Sequence, residues 1–175
     1  MPDALGHQNI GFEYLNGAAG TATTVACTLN SLANNAQQSS AAVFCFYGWE
    51  TGMGGIEYSV MVKVKTGAAV SGTPLVNVYI AASNDGGTTW SDGVANIGTD
   101  HSVTLTSPLN VRALGQINCP SPASVYIGGP WSVAQIFGGQ PPTAFCLIIE
   151  NKTGGALDST NGGTITHQPA TLVTF

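Results

Sequence analysis

Ile56-Glu57-Tyr58-Ser59-Val60-Met61-Val62-Lys63-Val64-Lys65 decides the fold class. Ile56, Tyr58, Val60, Val62 and Val64 fall on one face at period two, and Glu57, Ser59, Met61, Lys63 and Lys65 fall on the other. Side chains that alternate in this way belong to a β-strand with one face buried and one face wet. Similar patterns flank it on both sides. Residues 75–81 place Val76, Val78 and Ile80 together, residues 21–29 are rich in Thr and Val, and residues 41–49 form a short aromatic run. Weaker candidates cover residues 103–105 and 109–117, and residues 171–175 close the chain as a strand. Ala144-Phe145-Cys146-Leu147-Ile148-Ile149 is unbroken apolar, the pattern of a strand buried on both faces and central in its sheet.

Turn formers separate these runs at short intervals, among them Gly52-Met53-Gly54-Gly55, Ser71-Gly72-Thr73-Pro74, Gly128-Gly129-Pro130, Gly138-Gly139 and Asn161-Gly162-Gly163. Short strands punctuated by Gly and Pro predict an all-β antiparallel β-sandwich or jelly roll. Residues 30–40 read as one helical turn or a polar loop, and no other segment reads as helix. With 175 residues, 43% of them hydrophobic, one domain with a substantial core is expected. We place that domain at residues 21–175. Residues 1–20 mix Leu5, Ile10, Phe12 and Tyr14 with glycines and are expected to form an arm that contacts a neighbour, Leu5, Ile10, Phe12 and Tyr14 being interface candidates.

Charge is scarce. Asp, Glu, Lys and Arg make up 7% of the chain, against about 25% in an ordinary soluble protein. The cations are Lys63, Lys65, Arg112 and Lys152, and the net charge is -5. Phosphate recognition needs clustered Lys and Arg, so nucleic acid is excluded as a partner. The longest apolar stretch, residues 41–47, is far short of a membrane span, and no membrane partner is expected. The N-terminus carries no basic and apolar leader pattern, so synthesis and assembly in the cytoplasm are expected. A surface held in solution by Ser, Thr, Asn, Gln and Gly suits a protein packed against copies of itself or against a large partner.

Chemistry-bearing motifs are few. Cys27, Cys45, Cys119 and Cys146 form no CxxC pair, so zinc is not expected, and in a reducing compartment the thiols are expected to be free. Ser83-Asn84-Asp85-Gly86-Gly87-Thr88-Thr89-Trp90 matches the Asp-box pattern S-x-D-x-G-x-T-W. Its physics is structural: Asp85 bonds backbone N–H groups of its own turn, Gly86 and Gly87 permit positive φ, and Trp90 packs back over the turn. Ser83, Asp85, Gly87, Thr89 and Trp90 are therefore read as a hairpin, with Ile80 and Trp90 near its ends. Sialidases repeat this box around a propeller and gather arginines for a carboxylate. Here it occurs once, and the chain owns one arginine.

Glu50 and Glu57 are the only pair that invites glycoside hydrolysis, and Glu57 sits on a wet strand face. His7, His101 and His167 are scattered, and no G-x-S-x-G surrounds a serine beside Asp100-His101. No catalytic, cofactor or metal residue is assigned, and the expectation is a non-enzymatic protein. Trp131, following Gly128-Gly129-Pro130, is expected on a loop, where it serves as an interface candidate or stacks on a sugar ring.

The order of Ser83 to Trp90, Val111-Arg112-Ala113-Leu114-Gly115, Ser132-Val133-Ala134-Gln135-Ile136-Phe137-Gly138-Gly139 and Ala144 to Leu157 resembles small virion structural proteins of tailed bacteriophages. The resemblance covers roughly residues 75–160. It implies a jelly-roll decoration or cement protein on the capsid exterior. Its implied partners are the major capsid protein and other copies of itself, a trimer being the expected oligomer. The alternative is a tail or fibre module or a carbohydrate-binding β-sandwich.

Overall fold

The computed structural model describes residues 10–13, 22–45, 47–48, 53–105 and 110–174. Among these the chain runs β1 (Ile10–Glu13), β2 (Thr23–Val25), β3 (Gln37–Ser39), β4 (Val43–Phe44), β5 (Tyr47–Gly48), β6 (Met53–Lys65), β7 (Leu75–Ser83), β8 (His101–Val103), β9 (Arg112–Asn118), β10 (Val125–Ser132), α1 (Val133–Ile136), β11 (Ala144–Lys152) and β12 (Gly163–Thr174). Eight of these strands pair as a nested hairpin: β2 with β12, β3 with β11, β6 with β10, and β7 with β9. Folded over on itself, the hairpin gives one sheet ordered β2-β12-β6-β10 and a second ordered β3-β11-β7-β9. That is a jelly roll, with every pairing antiparallel. β1 and β5 extend the first sheet along β12 and β6, while β4 and β8 extend the second along β11 and β3.

The alternation of β6 sets which face is inside. Tyr58, Val60, Val62 and Val64 are buried between the sheets, while Met61 and Lys63 are exposed. They meet Val76, Val78 and Ile80 of β7, Leu114 and Ile117 of β9, and Phe145, Leu147 and Ile149 of β11. The Tyr58 ring stands edge-on to Phe145 at 5.7 Å. β11 is paired on both sides and buried on both faces, as its unbroken apolar run requires. Its second face is covered by the chain between β7 and β9. Ile97, Val103, Leu105 and Val111 from that excursion pack on Ala81, Cys146 and Ile148, forming a smaller core on the outside of the second sheet.

Several expectations need correction. The Asp-box segment is not a tight hairpin, because β9, the strand that returns to pair with β7, begins only at Arg112. Instead Ser91 N donates to Ala82 O at 3.1 Å and closes a loop at the end of β7. Trp131 is not on a loop. It lies inside β10, where Gly128-Gly129-Pro130 makes a bulge in the pairing with β6 rather than a strand break. Of the two forms expected for residues 30–40, the loop is found, with turns followed by β3, and among the described residues the α-helical turn is α1, which residue periodicity did not reveal because it spans four residues. β12 begins at Gly163, eight residues earlier than expected; its polar residues Thr164 and Thr166 face outward while Ile165 faces the core. Of the expected N-terminal arm, Ile10–Glu13 pairs with β12 of the same chain, Ile10 opposite Thr174 and Phe12 opposite Leu172. Leu5 and Tyr14 lie outside the described residues.

Candidate functional site

The residues singled out by sequence separate into local structural roles. Asp85 is the hub of its turn. Its carboxylate accepts from Thr88 N (3.1 Å), Thr89 N (2.9 Å), Thr89 Oγ1 (2.6 Å) and Ser83 Oγ (2.7 Å), and Ser83 Oγ accepts from Gly87 N at 2.8 Å. Those bonds, led by Thr89, hold the Asp85 carboxyl far below the usual carboxylate range. Gly86 and Gly87 have φ of 71° and 87°, as the turn demands. The half-buried Trp90 indole lies against Gly98, where an added Cβ would approach Cζ2 to 2.3 Å. Every oxygen of Asp85 is occupied by a donor, so the box ties the excursion to β7 and leaves no lone pair for a metal or a proton transfer.

The carboxylate pair does not assemble as a described site. Glu50 lies outside the described residues. Glu57 caps α1: it accepts from Ala134 N at 3.2 Å and from Ser132 Oγ, and that hydroxyl accepts from Gln135 N at 3.0 Å. Asp100 likewise ties segments together, accepting from Thr28 N, Thr28 Oγ1 and Gln38 Nε2, each at 2.7 Å. His101 is exposed on β8 of the second sheet, whereas His167 faces Tyr58 in the first, ring centroids 6.0 Å apart. His7 lies outside the described residues. Among the described residues, no group of three His, Cys, Asp or Glu is placed to hold a metal. Cys27, Cys45, Cys119 and Cys146 are all free thiols, and all but Cys27 are buried. Burial pushes Cys45 and Cys146 up to about 12 and Cys119 up to about 11.

Trp131 is half-buried and closes the gap between the edge strands β9 and β10. A Cβ at Gly115 would lie 2.4 Å from Trp131 Cε2, and one at Gly128 would lie 2.4 Å from its Cη2. The glycines are thus a bed for the indole, which leaves little ring face for a sugar. A shallow groove of about 510 Å³ opens near the α1–β11 connection, lined by Ala82, Asn84, Phe137, Gln140, Pro142 and Thr143. Arg112 holds Phe137 from above at 5.4 Å while donating to Ile136 O. The groove lining contains no acid, base or nucleophilic thiol, so it offers no general acid–base chemistry.

Two sheet faces remain, and they differ in kind. On the outside of the first sheet, Val125 and Ile127 of β10 are 50% and 60% exposed and Met61 of β6 is 40% exposed. Register sets Ile127 beside Lys63, Lys63 beside Thr164, Met61 beside Thr166, and Thr166 beside Thr24. The result is an apolar and hydroxyl-bearing face in which Lys65 is paired with Asp158 at 2.9 Å. No family model, curated protein or solved structure matches this chain.

On the outside of the second sheet, one transverse row crosses four strands: Gln37, Glu150, Asn77 and Gln116 stand in register. Glu150, only 8% exposed, accepts from Asn77 Nδ2 (2.7 Å) and Tyr79 OH (3.1 Å) on one oxygen. Its other oxygen accepts from Gln37 Nε2 at 3.2 Å and pairs with Lys152 Nζ at 3.3 Å. Burial alone would raise the Glu150 pKa. The hydrogen bonds from Asn77 and Gln37 and the charge of Lys152 outweigh burial and hold the carboxyl below its usual value. Sequence reasoning missed this row. The signal was Asn77 at an outward position between Val76 and Val78, but only register brings it to Glu150, 73 residues away in the chain.

Proposed function

We propose that this chain is a non-enzymatic virion structural protein of a tailed bacteriophage, a decoration or cement protein that bridges neighbouring copies of the major capsid protein on the outside of the shell. The observation that carries the proposal is the exposed apolar face of the first sheet. Val125, Ile127 and Met61 stand among Thr hydroxyls, with Lys63 as their one unpaired cation among the described residues. Depletion of charge around an apolar centre is the compositional mark of an interface. The jelly-roll architecture and the virion resemblance of residues 75–160 support the same reading.

The size of that face argues for several copies acting together. Four strands spaced about 4.8 Å and some six residues at about 3.3 Å each give a projected area of about 400 Å². A stable interface takes about 800 Å² from each partner. One face is therefore a weak contact, and a closed homo-oligomer, for which a trimer fits, holds through multivalency.

Ile127→Asp puts a charge among the exposed apolar side chains of the face, on an edge strand and at a side chain already in water, so folding is expected to survive. Co-sedimentation with shells stripped of the protein should fall at least tenfold for this variant at unchanged melting temperature. In purified virions, quantitative mass spectrometry should find a fixed ratio to the capsid protein of the same order. Absence from virions, or full shell binding by Ile127→Asp, would refute the proposal.

A further inference from the structure

We infer that Asn161 is a site of spontaneous deamidation and that the Asn30 side chain holds the reaction back in the folded protein. Asn161-Gly162 ends the turn that leads into β12. Deamidation needs an asparagine amide as electrophile and the main-chain nitrogen of the next residue as nucleophile. Gly162 has no Cβ to shield that nitrogen. The nitrogen loses its proton to water and attacks Asn161 Cγ. A C–N bond forms, the Cγ–Nδ2 bond breaks, and the departing nitrogen takes protons from water and leaves as ammonia. Water then opens the cyclic imide to an aspartyl or isoaspartyl residue.

The fold treats the two reacting groups differently. Asn161 is exposed, and its side-chain amide makes no hydrogen bond among the described residues. Gly162 is buried, and its N–H donates to Asn30 Oδ1 at 2.8 Å, a partner 132 residues away in the chain. The Gly162 carbonyl accepts from Lys65 N at 3.0 Å, and Asn161 N donates to Asp158 Oδ1 at 2.8 Å. A Cβ on Gly162 would lie 2.1 Å from Leu29 O, so the residue is wedged against the segment that carries Asn30. To react, the nitrogen has to leave Asn30, shed its proton and swing toward Cγ. It does none of these while the turn is closed, so the reaction waits on local opening. The product would place a second carboxylate near Asp158, which is paired with Lys65 at 2.9 Å. The isoaspartyl form would also lengthen the main chain by one carbon just before Gly163 pairs with Val64. The start of β12 is therefore where this chain ages.

The inference does not depend on the shell-binding role. Wild type, Asn30→Ala and Asn30→Asp are incubated at physiological temperature and mildly alkaline pH, and the deamidated fraction is read by mass spectrometry of the tryptic peptide 153–175. Asn161 is its sole asparagine; Asn16-Gly17, outside the described residues, falls in peptide 1–63. Asn30 is exposed, so the variants should fold, and circular dichroism checks that they do. Folded wild type should lose the Asn161 amide about tenfold more slowly than the chain unfolded in guanidinium. Asn30→Ala should react about tenfold faster than wild type, the equilibrium worth of one hydrogen bond. Asn30→Asp keeps an acceptor and should stay close to wild type. Hydrogen exchange of the Gly162 N–H, followed by NMR in wild type alone, should be slow and needs no variant. Fast exchange at that N–H, equal rates in the folded and unfolded chain, or an Asn30→Ala rate equal to that of wild type would each overturn the inference.

Discussion

Gly115 and Trp131 should behave as one unit, and replacing the glycine tests this. An alanine Cβ at Gly115 would sit 2.4, 2.5 and 2.6 Å from Cε2, Cζ2 and Nε1 of the indole. These three atoms belong to one rigid ring, so they cannot retreat separately. The ring cannot slide toward β10 either, because Gly128 lies beneath it with a would-be Cβ 2.4 Å from Cη2. Overpacking of this kind costs about 1–3 kcal/mol. In a Trp131→Ala background the obstruction is gone. There the same Gly115→Ala change should be neutral or stabilising by about 0.4–1 kcal/mol, because alanine restricts the unfolded chain more than glycine. The coupling between the two sites is then about 1–4 kcal/mol. With a urea slope of about 2 kcal/mol/M, a 2 kcal/mol loss moves the midpoint by about 1 M. Far-ultraviolet circular dichroism is the appropriate probe, since removing Trp131 alters the fluorescence. If Gly115→Ala costs the same in both backgrounds to within about 0.5 kcal/mol, the indole does not cover Gly115 and the account of the β9–β10 edge is wrong.

Acid should unfold the protein through its turn carboxylates. Asp85 lies far below its ordinary value and Asp158 is held at about 2, chiefly by the backbone N–H of Asn161 and by Lys65. A depressed carboxyl contributes stability above the unfolded pKa of about 3.9 and loses it as pH falls toward the folded value. Melting temperature should therefore hold steady from about pH 7 to 5 and drop below about pH 4. The gap between wild type and Asp85→Ala should narrow at pH 2, and a gap unchanged across that range would contradict the role given to Asp85. The buried thiols Cys45, Cys119 and Cys146 should resist iodoacetamide at pH 8 in the folded protein and react once it is unfolded. Rapid labelling of native Cys146 would mean that the cover over the second sheet opens readily.

How far the sequence could be read depended on whether the signal was local. β6 and β7 were legible because period-two alternation is written in consecutive residues, and the structure buries the face they predict. β11 was legible as a strand covered twice, although what covers its outer face was not. β10 was missed because Gly128, Gly129 and Pro130 read as breakers; in the sheet they form a bulge that leaves room for Trp131. The start of β12 was missed because Thr164, Thr166 and Gln168 carry little apolar signal, and pairing with β6 holds them. The Asp box gave its internal hydrogen bonds correctly, since all of them span at most four residues. It did not say that the strand pairing with β7 returns only at Arg112.

By itself the sequence determined an all-β chain of alternating and doubly buried strands, poor in charge and tied by one self-contained turn. Each of these properties is set by neighbours within a few residues, through side-chain periodicity and short-range hydrogen bonding. Only the tertiary structure decided the two faces. Register across strands far apart in the chain gathered Val125, Ile127 and Met61 on one side and Gln37, Glu150, Asn77 and Gln116 on the other. Those juxtapositions come from closing long loops around a shared core, and no short stretch of residues encodes them.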